Sequence, residues 1–142
     1  MAAQTTAAAA PQEESKPIST WILPVLAAWV IPGGGHFLQK KTGRGALILA
    51  SVGLMFLFGM FMRGMMFTPE RGDILTTLIN YGGFICDLAS GAFYFAAAMF
   101  GYAAPDMAGA VHDYGTKFLV TAGLLNILAM VDSYEIAIGK KD

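Results

Sequence analysis

The sequence predicts an all-α, polytopic membrane protein with about four transmembrane helices in a small bundle. Composition is the first reason. Of 142 residues, 56% are hydrophobic and 13% are charged, whereas a soluble domain averages about 45–50% apolar and about 25% charged. A water-soluble chain this short leaves much of its surface exposed and has no place to hide so much apolar area. Clustering is the second reason. Residues 17–39, 45–62 and 88–104 hold 23, 18 and 17 consecutive residues without Lys, Arg, Asp or Glu. Run length is the third, because crossing ~30 Å of hydrocarbon takes ~20 mostly apolar helical residues.

Residues 1–16 are Ala-, Thr- and Gln-rich and lack aromatics and aliphatic β-branched residues. Such a segment cannot bury enough surface to fold, so a disordered tail precedes a transmembrane domain over residues 17–142. It also lacks the basic region and apolar stretch that open a cleavable signal.

The first helix is expected at about 18–37, interrupted by Pro24 and Pro32. Proline removes a backbone donor, so this segment either spans or turns back, and the four-span reading takes it as spanning. The second helix is expected at 45–67, with Arg44 and Arg63 about one hydrocarbon thickness apart. Thr68 to Asp73 reads as a polar turn carrying Pro69 and Gly72. The third is expected at 74–104 as one long helix. In it Tyr81 and Tyr102 stand ~32 Å apart by helical rise, as an aromatic belt at each surface would require. The fourth is expected at 116–138, after the polar connection around Pro105 and Asp106.

A net charge of −1 gives no electrostatic case for nucleic acid. The single cysteine, Cys86, excludes an intrachain disulfide and reads as a small buried hydrophobe. Met55, Met60, Met62, Met65 and Met66 point around the whole helix, which favours packing or lipid contact over a Cu(I) thioether site.

The stretch Trp29 to Gly45 (WVIPGGGHFLQKKTGRG) invites three readings. A Walker-type phosphate loop needs G-x-x-x-x-G-K-[ST] after a strand, and Gly35 to Lys41 lacks that spacing. A metal or haem site at His36 needs further ligands; only His112, with Asp113 beside it, offers any. No cofactor is therefore expected. The third reading is a turn at a membrane surface. Pro32 stops a helix, Gly33, Gly34 and Gly35 permit positive φ, His36 caps the turn, and Lys40, Lys41 and Arg44 sit among headgroups.

Pro32-Gly-Gly-Gly-His36-Phe37, followed by Arg44-Gly45, resembles the turn of the two-transmembrane-helix domain families of small bacterial membrane proteins. Asn126-Ile-Leu128 with Asp132-Ser-Tyr134 is similar to the last helix of a related group of unknown function. The resemblance implies architecture and no firm activity.

Ionisable groups inside a membrane are costly and usually paired or functional. Depth matching predicts that Arg63 pairs with Asp87 or Asp132 at the face opposite the glycine turn, and that Asn126 hydrogen-bonds a neighbouring helix near the midplane. Gly83, Asp87 and Gly91 form a small-residue stripe suited to a protein partner or to self-association. The first and third loops are expected to meet, Lys40, Lys41 and Arg44 against Asp106 and Asp113. Four spans divide the nine Lys and Arg five against four between the two faces, which leaves orientation open.

No nucleophile–base pair, catalytic carboxylate pair or cofactor fingerprint is present, so an enzyme is not expected. The sequence is read as a small non-catalytic protein of the cell membrane, multi-pass and in the bacterial inner membrane. Its role is that of a scaffold or accessory subunit of a larger complex. The alternative is a homo-oligomeric transporter or channel component using Asp87 and Asn126.

Overall fold

Two prolines and a glycine turn limit the first apolar segment to a short helix. The computed structural model describes residues 16–102 and 109–142, so the expected N-terminal tail lies almost wholly outside the described residues. Six helices form among them, and no strand: α1 (Ile18–Val30), α2 (Gly34–Leu38), α3 (Thr42–Phe61), α4 (Ile74–Ala89), α5 (Ala92–Met99) and α6 (Ala110–Ala137). Two of these, α3 and α6, are long and apolar enough to cross a membrane. The count becomes three if α4 and α5, bent by 100°, are one span.

The first helix ends well short of the expected residue 37. Ile31 precedes a proline, which disfavours its helical conformation, and it is extended at φ −122°, ψ 115°. Gly33 follows at φ +81°. Its backbone passes so close to Gly45 that a β-carbon would lie 2.3 Å from the Gly45 carbonyl oxygen. At 13 residues, α1 is ~20 Å long, too short for a bilayer core. The five-residue α2 then folds back beside it, with Gly34 against Ala27 O and Gly35 against Pro24 O.

Helix directions follow from the contacts along α6. Trp21 meets Tyr134 edge-on, centroids 5.3 Å apart, and Trp29 O accepts from Asn126, so α1 runs antiparallel to α6. Arg44 lies near Asp132 and Gly59 against Leu119, so α3 is antiparallel to α6 as well. Helices α1 and α3 therefore run the same way. Consecutive spanning helices joined by a short loop run in opposite directions, so α1 and α2 form a hairpin that returns to its starting end.

The expected helix over 74–104 is broken at Ser90 and Gly91. Gly91 stands at φ +61°, and a β-carbon there would lie 1.9 Å from Trp29 O. Helix α4 runs parallel to α6, with Cys86 O against Gly123 and Ala89 O bonded by Asn126. Helix α5 turns away, and Tyr102 Oη donates to Gly64 O at 2.8 Å. Tyr102 thus comes back to the end where α3 finishes, and the two-surface tyrosine belt does not form. Four straight spans do not emerge. The bundle has two long helices and two bent hairpins, approaching from opposite ends.

Other boundaries shift less. Helix α3 begins at Thr42 and ends at Phe61, where the chain turns through Arg63 at φ +56°. Helix α6 starts at Ala110, six residues before the expected 116. Val52, Phe56, Ala97, Leu119 and Ala122 form the buried core between α3, α5 and α6, and Phe56 stacks on Phe93 at 5.5 Å.

Candidate functional site

The two segments that carry the sequence resemblance pack on each other. The glycine-turn hairpin lies along the last three turns of α6, and its polar side chains meet that helix at two levels.

At the outer level, Asp132 is the hub. An ionised carboxylate has only acceptors, so His36 donates from Nε2 to Asp132 Oδ2 at 2.9 Å. His36 is fully buried, whereas the Asp132 side chain is 27% exposed. Lys141 Nζ reaches Asp132 Oδ1 at 3.0 Å and Glu135 Oε2 at 2.5 Å, and Arg44 stands 3.8 Å from Asp132 Oδ2. The hydrogen bonds Lys141 donates to Glu135 and then to Asp132 hold its pKa above the ordinary lysine value. Gln39 Nε2 donates to Ser133 O at 2.7 Å. Gly35 lies against Ser133, where a β-carbon would come within 2.2 Å of Oγ. Any other residue at position 35 would push α2 off α6 and separate His36 from Asp132.

At the inner level, Asn126 is the hub. It lies six residues before Asp132, or ~9 Å deeper by helical rise. Its Nδ2 donates to Ala89 O at 2.8 Å and to Trp29 O at 3.3 Å. Trp29 Nε1 donates to Leu88 O at 3.1 Å. The carboxyl ends of α1 and α4 therefore meet tip to tip beside α6. Helix ends leave carbonyls without intrahelical partners; here Asn126 satisfies two of them, and Trp29 adds a second bond to Leu88 O, which also accepts from Gly91 N.

Several sequence-expected partners are not brought together. Among the described residues no ion pair joins Arg63 to Asp87 or Asp132. Asp87 Oδ2 instead accepts from Phe67 N at 2.6 Å. Asp132 lies at the same end as the glycine turn, because α1 and α2 return to it. Arg63 lies at the far end, where its carbonyl oxygen accepts from His112 Nδ1 at 3.0 Å. Asp132 is 20 residues from His112 along α6, ~30 Å, so His36 and His112 cannot share a metal. Asp113 opens α6 at that far end, away from Arg44; Asp106 lies outside the described residues. His36 holds a carboxylate rather than capping its turn. The stripe of Gly83, Asp87 and Gly91 is covered within the chain, by Phe67 at the first two and by Trp29 O at the third.

The His36–Asp132 contact ties α2 to α6. Ser133 Oγ lies beside the His36–Asp132 pair but bonds neither, and both Ser133 and His36 are fully buried. No nucleophile–base contact is thus assembled there. No cluster of three His, Cys, Asp or Glu side chains that could hold a metal ion occurs among the described residues.

Trp29 and Phe67 did not stand out in the sequence. The available signal for Trp29 was an amphipathic indole three residues before the helix-stopping Pro32. Phe67 contributes its backbone N–H, which no residue pattern reveals.

Residues 23–142 match the family described as "Family of unknown function (DUF6677)". The chain belongs to that family. The match begins inside α1 and covers both hubs and all their partners. No curated protein and no solved structure matches the chain.

Proposed function

We propose that this family member is a small, non-catalytic integral protein of the bacterial inner membrane, acting as a scaffold or accessory subunit of a larger complex. Membrane residence is supported by the apolar shell. Leu47, Phe61, Leu78, Met99 and Phe100 are each at least 69% exposed, far more apolar surface than a soluble monomer displays. On this reading α3 and α6 cross the bilayer. The hairpins α1–α2 and α4–α5 enter from opposite faces and meet at Asn126. Irregular backbone at membrane depth is tolerated only where protein covers it, and Asn126 and Trp29 provide that cover. The resemblance to the two-transmembrane-helix turn points the same way.

One observation carries the non-catalytic reading. Four interior polar side chains bond the protein's own backbone: Asn126 and Trp29 at helix ends, Asp87 at Phe67 N, and Tyr102 at Gly64 O. Gentle detergent extraction followed by mass spectrometry of co-purifying proteins tests it. A different protein at fixed stoichiometry is the expected result; a lone monomer would overturn the subunit role.

The second reading, a homo-oligomeric transporter or channel component, draws on the second oxygens of Asp87 and Asn126. Both are buried and bond no protein group. A purified homo-oligomer giving ion or proton flux in proteoliposomes, abolished in Asp87→Asn, would favour it over the scaffold.

A further inference from the structure

We propose that the end of the bundle carrying Lys16 and the C-terminus of α6 faces the cytoplasm and beds into the anionic phospholipid headgroups of that leaflet. The fold gathers three separate stretches of chain there. Lys16 Nζ lies beside Gly139, Arg44 beside Asp132, and Lys141 on Asp132 and Glu135. Gln39, bonded to Ser133 O, holds Lys40 and Lys41 at the same end. Six of the nine Lys and Arg therefore share one end: Lys16, Lys40, Lys41, Arg44, Lys140 and Lys141. Arg63, Arg71 and Lys117 lie toward the other.

This asymmetry is a product of the reversal between α1 and α2. A spanning first helix would carry Lys40, Lys41 and Arg44 to the opposite face and leave the charges nearly balanced. The returning hairpin brings them beside the termini. Lys and Arg close to membrane segments set orientation by favouring the cytoplasm. The cytoplasmic leaflet is also the anionic one, and it attracts basic segments at its surface. The Trp21–Tyr134 pair lies at this end too, as amphipathic rings do at headgroup depth. Asp132, Glu135 and Asp142 offset part of this charge, but three side-chain carboxylates against six cations leave the end positive, and Lys40 is exposed.

The inference rests on the membrane reading but not on the scaffold role. The test labels single cysteines with a membrane-impermeant maleimide, in the full chain with Cys86→Ser. Gly43→Cys enters open space; Glu70→Cys and Asp142→Cys are at exposed positions. In intact spheroplasts, position 70 should label, while 43 and 142 should label only after permeabilisation. The opposite pattern overturns the orientation. Positions 43 and 142 on different sides overturn the returning hairpin and the charge grouping with it. Recovery of the chain in the soluble fraction would instead fail the membrane reading itself. For the lipid, native mass spectrometry of detergent-purified protein should show phosphatidylglycerol retained over phosphatidylcholine. That preference should fall about thirtyfold in Lys40→Gln/Lys41→Gln, at ~1 kcal/mol for each cation. Equal retention of both lipids, or a salt-labile acidic protein held by these lysines in their place, overturns the lipid assignment.

Discussion

Replacing Asn126 with alanine should loosen both hairpins at once. Its amide donates to Trp29 O and Ala89 O, the exposed carbonyl ends of two different helices, and the residue is fully buried. Hydrogen bonds between membrane helices average ~0.6 kcal/mol and reach ~1.7 kcal/mol each. Two lost bonds therefore come to about 1–3 kcal/mol, with the 2.8 Å bond to Ala89 weighing more than the 3.3 Å bond to Trp29. The assay is reversible unfolding in mixed micelles with Thr121→Ala as reference, because Thr121 Oγ only bonds Lys117 O within its own helix. Hydrogen exchange should rise at the amides of both the Trp29 and Ala89 turns. A loss within about 0.5 kcal/mol of the reference, or faster exchange at only one of the two turns, would refute the clamp.

Gly123→Ala should disrupt folding, since the new β-carbon would fall 1.8 Å from the backbone oxygen of Cys86, whereas Gly82→Ala meets nothing; the latter should stabilise by up to about 1 kcal/mol through helix propensity, as thermal unfolding of the pair would show. A double-mutant cycle between His36→Ala and Asp132→Ala should give a clear coupling energy from the 2.9 Å contact. The same cycle between Arg63→Met and Asp87→Leu should be close to additive, since the two do not pair. Asp73, at the start of α4, has its carboxyl held below its ordinary value of 3.8, first by a hydrogen bond from Thr76. A depressed carboxylate adds stability that is present above the unfolded value and lost as pH falls through the lower folded one. Asp73→Asn should thus speed amide exchange in the first turn of α4 at neutral pH, and the difference should vanish in acid below that folded value.

Composition and run length determined that the chain is helical and suited to a bilayer, because those properties depend on how much apolar surface must avoid water and not on where it packs. Local chemistry also located the Pro32 stop and the glycine turn, which depend only on a missing N–H and a missing β-carbon. Asn126 was legible as an interhelical donor for the same reason: an amide in an apolar run must find a partner. Its partners were not legible, since they are backbone carbonyls exposed by helix breaks. Gly91 shows why. In sequence it is one more small residue in an apolar run, and a continuous helix is a sound local solution. The approach of Trp29 O from a segment 62 residues earlier makes a break there the better solution. That break, with the reversal between α1 and α2, decides which residues share an end. It joins His36 to Asp132, parts Arg63 from both acids, and sets six cations on one face. Such pairings depend on the direction each helix runs, and direction is fixed by packing against α6, which no window of the sequence contains.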